Sequence, residues 1–185
     1  MRTFIAIEIP AEIKTEMVKV QEQLKKSNVD ASWPRPDGVH LTLKFLGEAP
    51  ESKISEMVSA LRTAAEGTGL LRLEVRGVGT FPNPKNARVA WIGLGGDVEK
   101  LVKLQLAVEE AMVRINMARE ERKFTPHLTL GRIKFIRSRD KWLKALDEIK
   151  DISLPGFDVT AVSLMKSELK PSGAVYTEMG RVELK

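Results

Sequence analysis

Cysteine is absent from this chain, and histidine occurs only twice. The first absence excludes disulfides, thiol nucleophiles and every cysteine-containing zinc site. Two histidines could join carboxylates around a metal, but no His-Glu-x-x-His or comparable ligand set exists, so chemistry without metal or cofactor is expected. No apolar run approaches membrane-spanning length. The start, Met1-Arg2-Thr3-Phe4-Ile5, enters a strand pattern at once and Glu8 interrupts it. No secretory signal and no membrane association are therefore expected, and the expected location is cytoplasmic.

What is present describes a folded domain. Charged residues make up 30% of the 185 positions and hydrophobic ones 43%, which separates the chain from disordered sequences. Residues 1–185 fit one domain built of two lobes sharing a core. The formal charge of +5 favours anionic partners. Arg119, Arg122 and Lys123 precede His127, Arg132, Lys134, Arg137 and Arg139 follow it, and Arg35 and Lys44 flank His40.

Both histidines open the same word, His-Leu-Thr-Leu, at 40–43 and at 127–130. Drawn at random, Leu-Thr-Leu would follow both histidines with a probability on the order of one in a million or less. A shared apolar-polar alternation of two strands accounts for the leucines, but not for the repeated histidine and threonine. Histidine titrates near neutrality, so the pair suits a general acid and a general base.

The words sit in a longer repeat. Residues 3–9 read as a strand, and Pro10 opens a helix with the stripe Ile13, Met17, Val20 and Leu24. Residues 28–38 read as a loop, 40–46 as a strand, and Ile54, Met57, Val58 and Leu61 as a helix face. Leu71, Leu73 and Val75 alternate as a strand. The order recurs: a strand at 88–94, a helix capped by Asp97, the second histidine strand, a helix capped by Ser138, and a strand through Phe157, Val159 and Ala161. The histidines lie 87 residues apart. Repeats over about 3–80 and 87–165, followed by a hairpin turning at 170–173, predict a bilobal α+β fold. Its two pseudo-symmetric, helix-backed antiparallel or mixed sheets would enclose a central cleft.

In a strand, His40 and Thr42 share one face while Leu41 and Leu43 take the other, and likewise in the second word. Two such strands about a pseudo-two-fold axis would place a phosphate between two imidazoles, with the threonine hydroxyls donating to its oxygens. Arg132 lies five residues beyond His127, where its fork of donors suits a phosphate. The equivalent position after His40 is Phe45, which, with Trp33, could stack on a base.

These words, with Lys-Phe-Leu-Gly at 44–47, Thr-Pro before His127, the Phe81-Pro turn before Ala90-Trp91 and the segment Ser167 to Tyr176, resemble the 2H phosphoesterase superfamily. Within it the chain is similar to RNA 2′,3′-cyclic phosphodiesterases, historically called 2′-5′ RNA ligases, along its whole length. The resemblance implies metal-independent opening of a 2′,3′-cyclic phosphate at an RNA 3′ end, leaving a 2′-phosphomonoester. It implies His40 as the acid at the 3′ oxygen, His127 as the base for water, and Thr42 and Thr129 as phosphate-holding residues. It also implies an association with reversible 2′-5′ joining of tRNA halves; separately, the protein is expected to be a monomer. No P-loop motif is present, so any joining would draw on the cyclic phosphate itself. Two alternatives stand beside this reading: a non-catalytic protein binding single-stranded RNA ends, and a cyclic phosphodiesterase of small nucleotides.

Overall fold

The computed structural model describes every residue except Ser172, so the tip of the turn expected at 170–173 lies partly outside the described residues. Among the described residues, nine strands and four α-helices follow one another: β1 (Arg2–Glu8), α1 (Ala11–Lys25), β2 (Asp30–Ser32), β3 (His40–Glu48), α2 (Ile54–Ala65), β4 (Leu71–Phe81), β5 (Val89–Gly96), α3 (Val98–Arg114), β6 (His127–Phe135), α4 (Arg139–Ile149), β7 (Ser153–Val159), β8 (Ala161–Lys170) and β9 (Gly173–Glu183). The strands form two sheets, ordered β3-β1-β8-β9 and β2-β6-β5-β4-β7. Every pairing is antiparallel. The α+β, two-sheet expectation matches this architecture.

The lobes in space are not the halves of the chain. β4, from the first half, pairs with β5, and β8, from the second, pairs with β1. The helices cross over as well: α1 packs on α4 and reaches β6 and β7, while α3 packs on α2 and β3. Each lobe therefore holds elements of both repeats. One continuous core, from Ile5 and Ile7 of the first sheet to Ala90 and Ile92 of the second, joins them. Burying one shared apolar interior, rather than two small ones, favours a chain of this size.

Local departures from the sequence reading have plain causes. β2 is a short strand inside the expected loop, formed because Asp30–Ser32 adds to the edge of β6. β4 runs on to Phe81 because its continuation pairs with β5. The single strand expected through Ala161 is two, β7 and β8, each joining a different sheet. Asp97 precedes α3 but does not cap it: its carboxylate accepts the Arg72 backbone N–H at 2.8 Å. Ser138 does cap α4, accepting from the Lys141 N–H. No helix among the described residues is long and apolar enough to cross a membrane.

Candidate active site

The histidine strands carry the same irregularity at the same place. In β3, Thr42 stands opposite Ala6 and Lys44 opposite Ile5, so Leu43 is an extra residue. In β6, Thr129 stands opposite Trp91 and Gly131 opposite Ala90, making Leu130 the extra residue. Such a bulge reverses the alternation of everything beyond it. Leu41, Leu43 and Leu46 enter the core, as do Leu128, Leu130 and Ile133. The opposite face then carries His40, Thr42 and Phe45 in one strand and His127, Thr129 and Arg132 in the other. Strict alternation from the histidines would have turned Phe45 and Arg132 inward. β3 is the edge of its sheet and β6 approaches it from the other. Both bury their leucines in the common core, so the histidine faces lie on the opposite sides of two strands that approach each other.

Each imidazole is steered from behind. The ring Nδ1 of His127 meets the Thr125 carbonyl oxygen at 2.6 Å. A carbonyl only accepts, so that nitrogen carries the proton and Nε2 is left for the cleft. His40 has the Gly38 backbone two residues back, and that group favours the protonated ring. Aromatic rings complete both pockets. His40 stacks on Phe4, with centroids 4.6 Å apart, and meets the edge of Tyr176 at 5.0 Å. His127 meets Phe81 edge-on at 5.1 Å, and Trp91 lies 6.5 Å away. Burial among these neighbours lowers the His40 pKa from 6.5 to about 4, the Gly38 bond opposes that shift, and the nearby Lys14 charge adds to it. His40 is therefore neutral at pH 7 in the unliganded protein.

The sequence alone does not mark Phe4, Tyr176, Phe81 and Trp91 as site residues. Strand register, not sequence proximity, brings them beside the histidines. The chain's single tyrosine, inside a hairpin similar to that of the phosphoesterases, was the available signal.

The remaining expected residues divide. Phe45 is 56% exposed, on the same face of β3 as His40 and Thr42. Arg132 is exposed on the corresponding face of β6 and, among the described residues, has no carboxylate within salt-bridge distance. Trp33 is elsewhere: it packs against the core beside Gly131, whose hypothetical Cβ would come within 2.7 Å of its ring, and Lys25 sits over the ring at 5.7 Å. Of the basic residues upstream, Arg119 pairs with Glu110 and Arg122 with Glu120, which reduces their pull on an anion. Lys44 turns away from the cleft altogether into a buried ion pair with Glu109 at 2.7 Å. Among the described residues no group of three or more His, Cys, Asp or Glu side chains is arranged to hold a metal ion.

Comparison with known proteins decides the family. The family model described as LigT like Phosphoesterase matches residues 7–91 and 96–176, most of the chain. The chain belongs to the LigT-like phosphoesterases. It is 33% identical over 179 residues to an RNA 2′,3′-cyclic phosphodiesterase of Methanothermobacter thermautotrophicus, covering 97% of this chain and 96% of that one. To the RNA 2′,3′-cyclic phosphodiesterase of Thermotoga maritima it is 36% identical over 178 residues, covering 95% and 91%. Its fold matches the crystal structure of TT0787 of Thermus thermophilus with a TM-score of 0.79 at 28% identity, covering 100% of this chain and 98% of the other. E. coli LigT complexed with 3′-AMP shares the fold, with a TM-score of 0.76 at 22% identity, over 99% and 97% of the two chains.

Proposed function

We propose that this phosphoesterase hydrolyses RNA 2′,3′-cyclic phosphate ends to 2′-phosphomonoesters, with two histidines as its acid and base. The observation that supports the reading is the pair of bulged strands, β3 and β6, which approach each other and carry His40–Thr42 and His127–Thr129 on the faces opposite their buried leucines. The cyclic phosphate lies between them. Nε2 of His127 takes a proton from water as the water oxygen bonds to phosphorus. The bond from phosphorus to O3′ breaks, and His40 delivers a proton to O3′. Thr42 and Thr129 donate to the non-bridging oxygens, where charge grows. Attack and departure on opposite sides of phosphorus match imidazoles on opposite walls of a seam.

The neutrality of unliganded His40 gives this assignment a further step. An acid must carry a proton, and the buried ring has lost its own. The phosphodiester anion lowers the cost of a cation beside it, so substrate entry restores the proton. His40 is thus charged when its partner arrives. Arg132 holds the phosphate or its neighbour by charge-assisted hydrogen bonds, and Phe45 stacks on a terminal base. Because one chain supplies both walls, a monomer is a complete enzyme, and single-stranded 3′ ends, including those of tRNA halves, fit a cleft open at a seam.

Leaving-group chemistry tests the roles. On a cyclic substrate whose departing oxygen needs no protonation, activity lost in His40→Ala is recovered while that lost in His127→Ala is not. Preferential recovery of His127→Ala would reverse the two roles.

A further inference from the structure

The bulges that aim the site leave backbone carbonyls outside the regular ladder, and a buried carbonyl must be satisfied. In each histidine strand a buried glutamine does so. Gln21 of α1, 4% exposed, donates its side-chain amide to the carbonyl of Leu130 at 2.9 Å and to that of Pro34 at 3.1 Å. Gln105 of α3, also buried, donates to the carbonyl of Leu43 at 3.3 Å. Leu130 and Leu43 are the two extra residues of the bulges. The glutamines are 84 residues apart, at matching places in the repeat. The residue one turn further along each helix attends to the position after the bulge: Lys25 sits over Trp33, which packs on Gly131, and Glu109 pairs with Lys44. Each helix follows an inner strand of one sheet and braces the histidine strand of the other.

We infer that Gln21 is a positioning residue for the phosphoesterase reaction, its amide holding the β6 bulge in the form that turns Arg132 into the cleft. Both amide hydrogens are used. One fixes Leu130, between Thr129 and Arg132, and the other fixes Pro34, in the segment that enters β3 at His40. A single side chain thereby ties the approach of one histidine to the bulge beyond the other. Replacement by an apolar side chain of similar length strips this donor from the buried Leu130 carbonyl and from the half-buried Pro34 carbonyl. The bulge then relaxes by shifting its extra residue, and Arg132 is the first cleft residue beyond it. Gln105 serves the β3 bulge in the same way, and so acts on Phe45 rather than on Arg132. The inference rests on the proposed role of Arg132 for its kinetic consequence, but not for its structural one.

A double-mutant cycle reads the kinetic consequence. On an oligoribonucleotide with a 2′,3′-cyclic phosphate, Arg132→Ala raises KM by roughly 10- to 100-fold, the usual worth of a charge-assisted contact. Gln21→Met raises it comparably, and Gln21→Met combined with Arg132→Ala is no worse than Arg132→Ala alone within about twofold. Gln105→Met leaves the Arg132→Ala effect at full size. Independent, multiplying effects of Gln21→Met and Arg132→Ala, or a Gln21→Met enzyme with unaltered KM, would overturn the inference. Hydrogen exchange supplies a readout without substrate. The Ile133 N–H, just past the bulge, donates to the Arg88 carbonyl at 2.8 Å. In folded Gln21→Met that amide exchanges faster than in Gln105→Met, whereas equal protection in the two variants would overturn the inference. A wild-type protein with no turnover would defeat the functional reading alone and leave the exchange result to decide.

Discussion

Alanine in place of either His40 or His127 is expected to lower kcat/KM by roughly 10²–10⁴-fold, the range for one positioned proton-transfer group, and steady-state kinetics on a cyclic-phosphate oligonucleotide check it. The depressed His40 pKa makes a second prediction with a definite sign. Folding disfavours the protonated ring, so the unfolded chain binds the extra proton between about pH 4 and 6.5. The stability gained by keeping the ring neutral is complete above pH 6.5 and is lost as pH falls toward 4, by at most about 3 kcal/mol. Urea midpoints should fall across that window, and His40→Gln should lack this component of the slope. Saturating inorganic phosphate should move the His40 titration, followed by ring-proton NMR, up from about 4. No movement would remove the proton-loading step. At this scale the sequence was most legible: a repeated four-residue word names both histidines and both threonines. The aromatic pockets were not legible, because Phe4, Tyr176, Phe81 and Trp91 reach the histidines through registers that span the chain.

Among the elements, the two bulges decide what the site contains. Periodicity placed both strands and the α1 and α3 stripes correctly, yet no alternation rule announces an extra residue at Leu43 or Leu130. Its trace in the sequence is a polar residue inside each apolar stripe, Gln21 between Val20 and Leu24 and Gln105 between Leu104 and Val108. Lys44 shows the same blind spot. Beside His40 it reads as a cleft cation, but the bulge turns it inward, where its ammonium meets Glu109 and the Ala118 carbonyl at 2.8 Å. Glu109 in turn accepts the Glu120 N–H, at 2.9 Å, which ties the segment before His127 to β3. Lys44→Met should therefore strand a buried carboxylate and destabilise the protein by roughly 3–5 kcal/mol. Pairing it with Glu109→Leu should recover much of that loss, as denaturant unfolding of the single and double variants would show.

Over the whole molecule, the repeat announced two sheets but not that β4 and β8, and α1 and α3, serve the opposite lobe. Sequence order favours pairing within a repeat, and only the shared core reverses that preference. The exchange has a functional consequence. Neither histidine strand keeps its backing without the other repeat, so the seam is fixed by the fold itself. Electrostatics at this scale predicts that RNA affinity falls with salt, and that Arg132→Ala reduces the slope of log K against log salt by about one unit. A slope unaffected by Arg132→Ala would place the anion elsewhere. The most direct measurement presents the protein with a short oligoribonucleotide ending in a 2′,3′-cyclic phosphate, in excess chelator, and resolves the terminal products. Conversion to the 2′-phosphomonoester, abolished in His40→Ala and His127→Ala alike, is the predicted result. Chelator-sensitive turnover, or a 3′-phosphate product, would contradict a histidine pair that opens the ring at O3′ on its own.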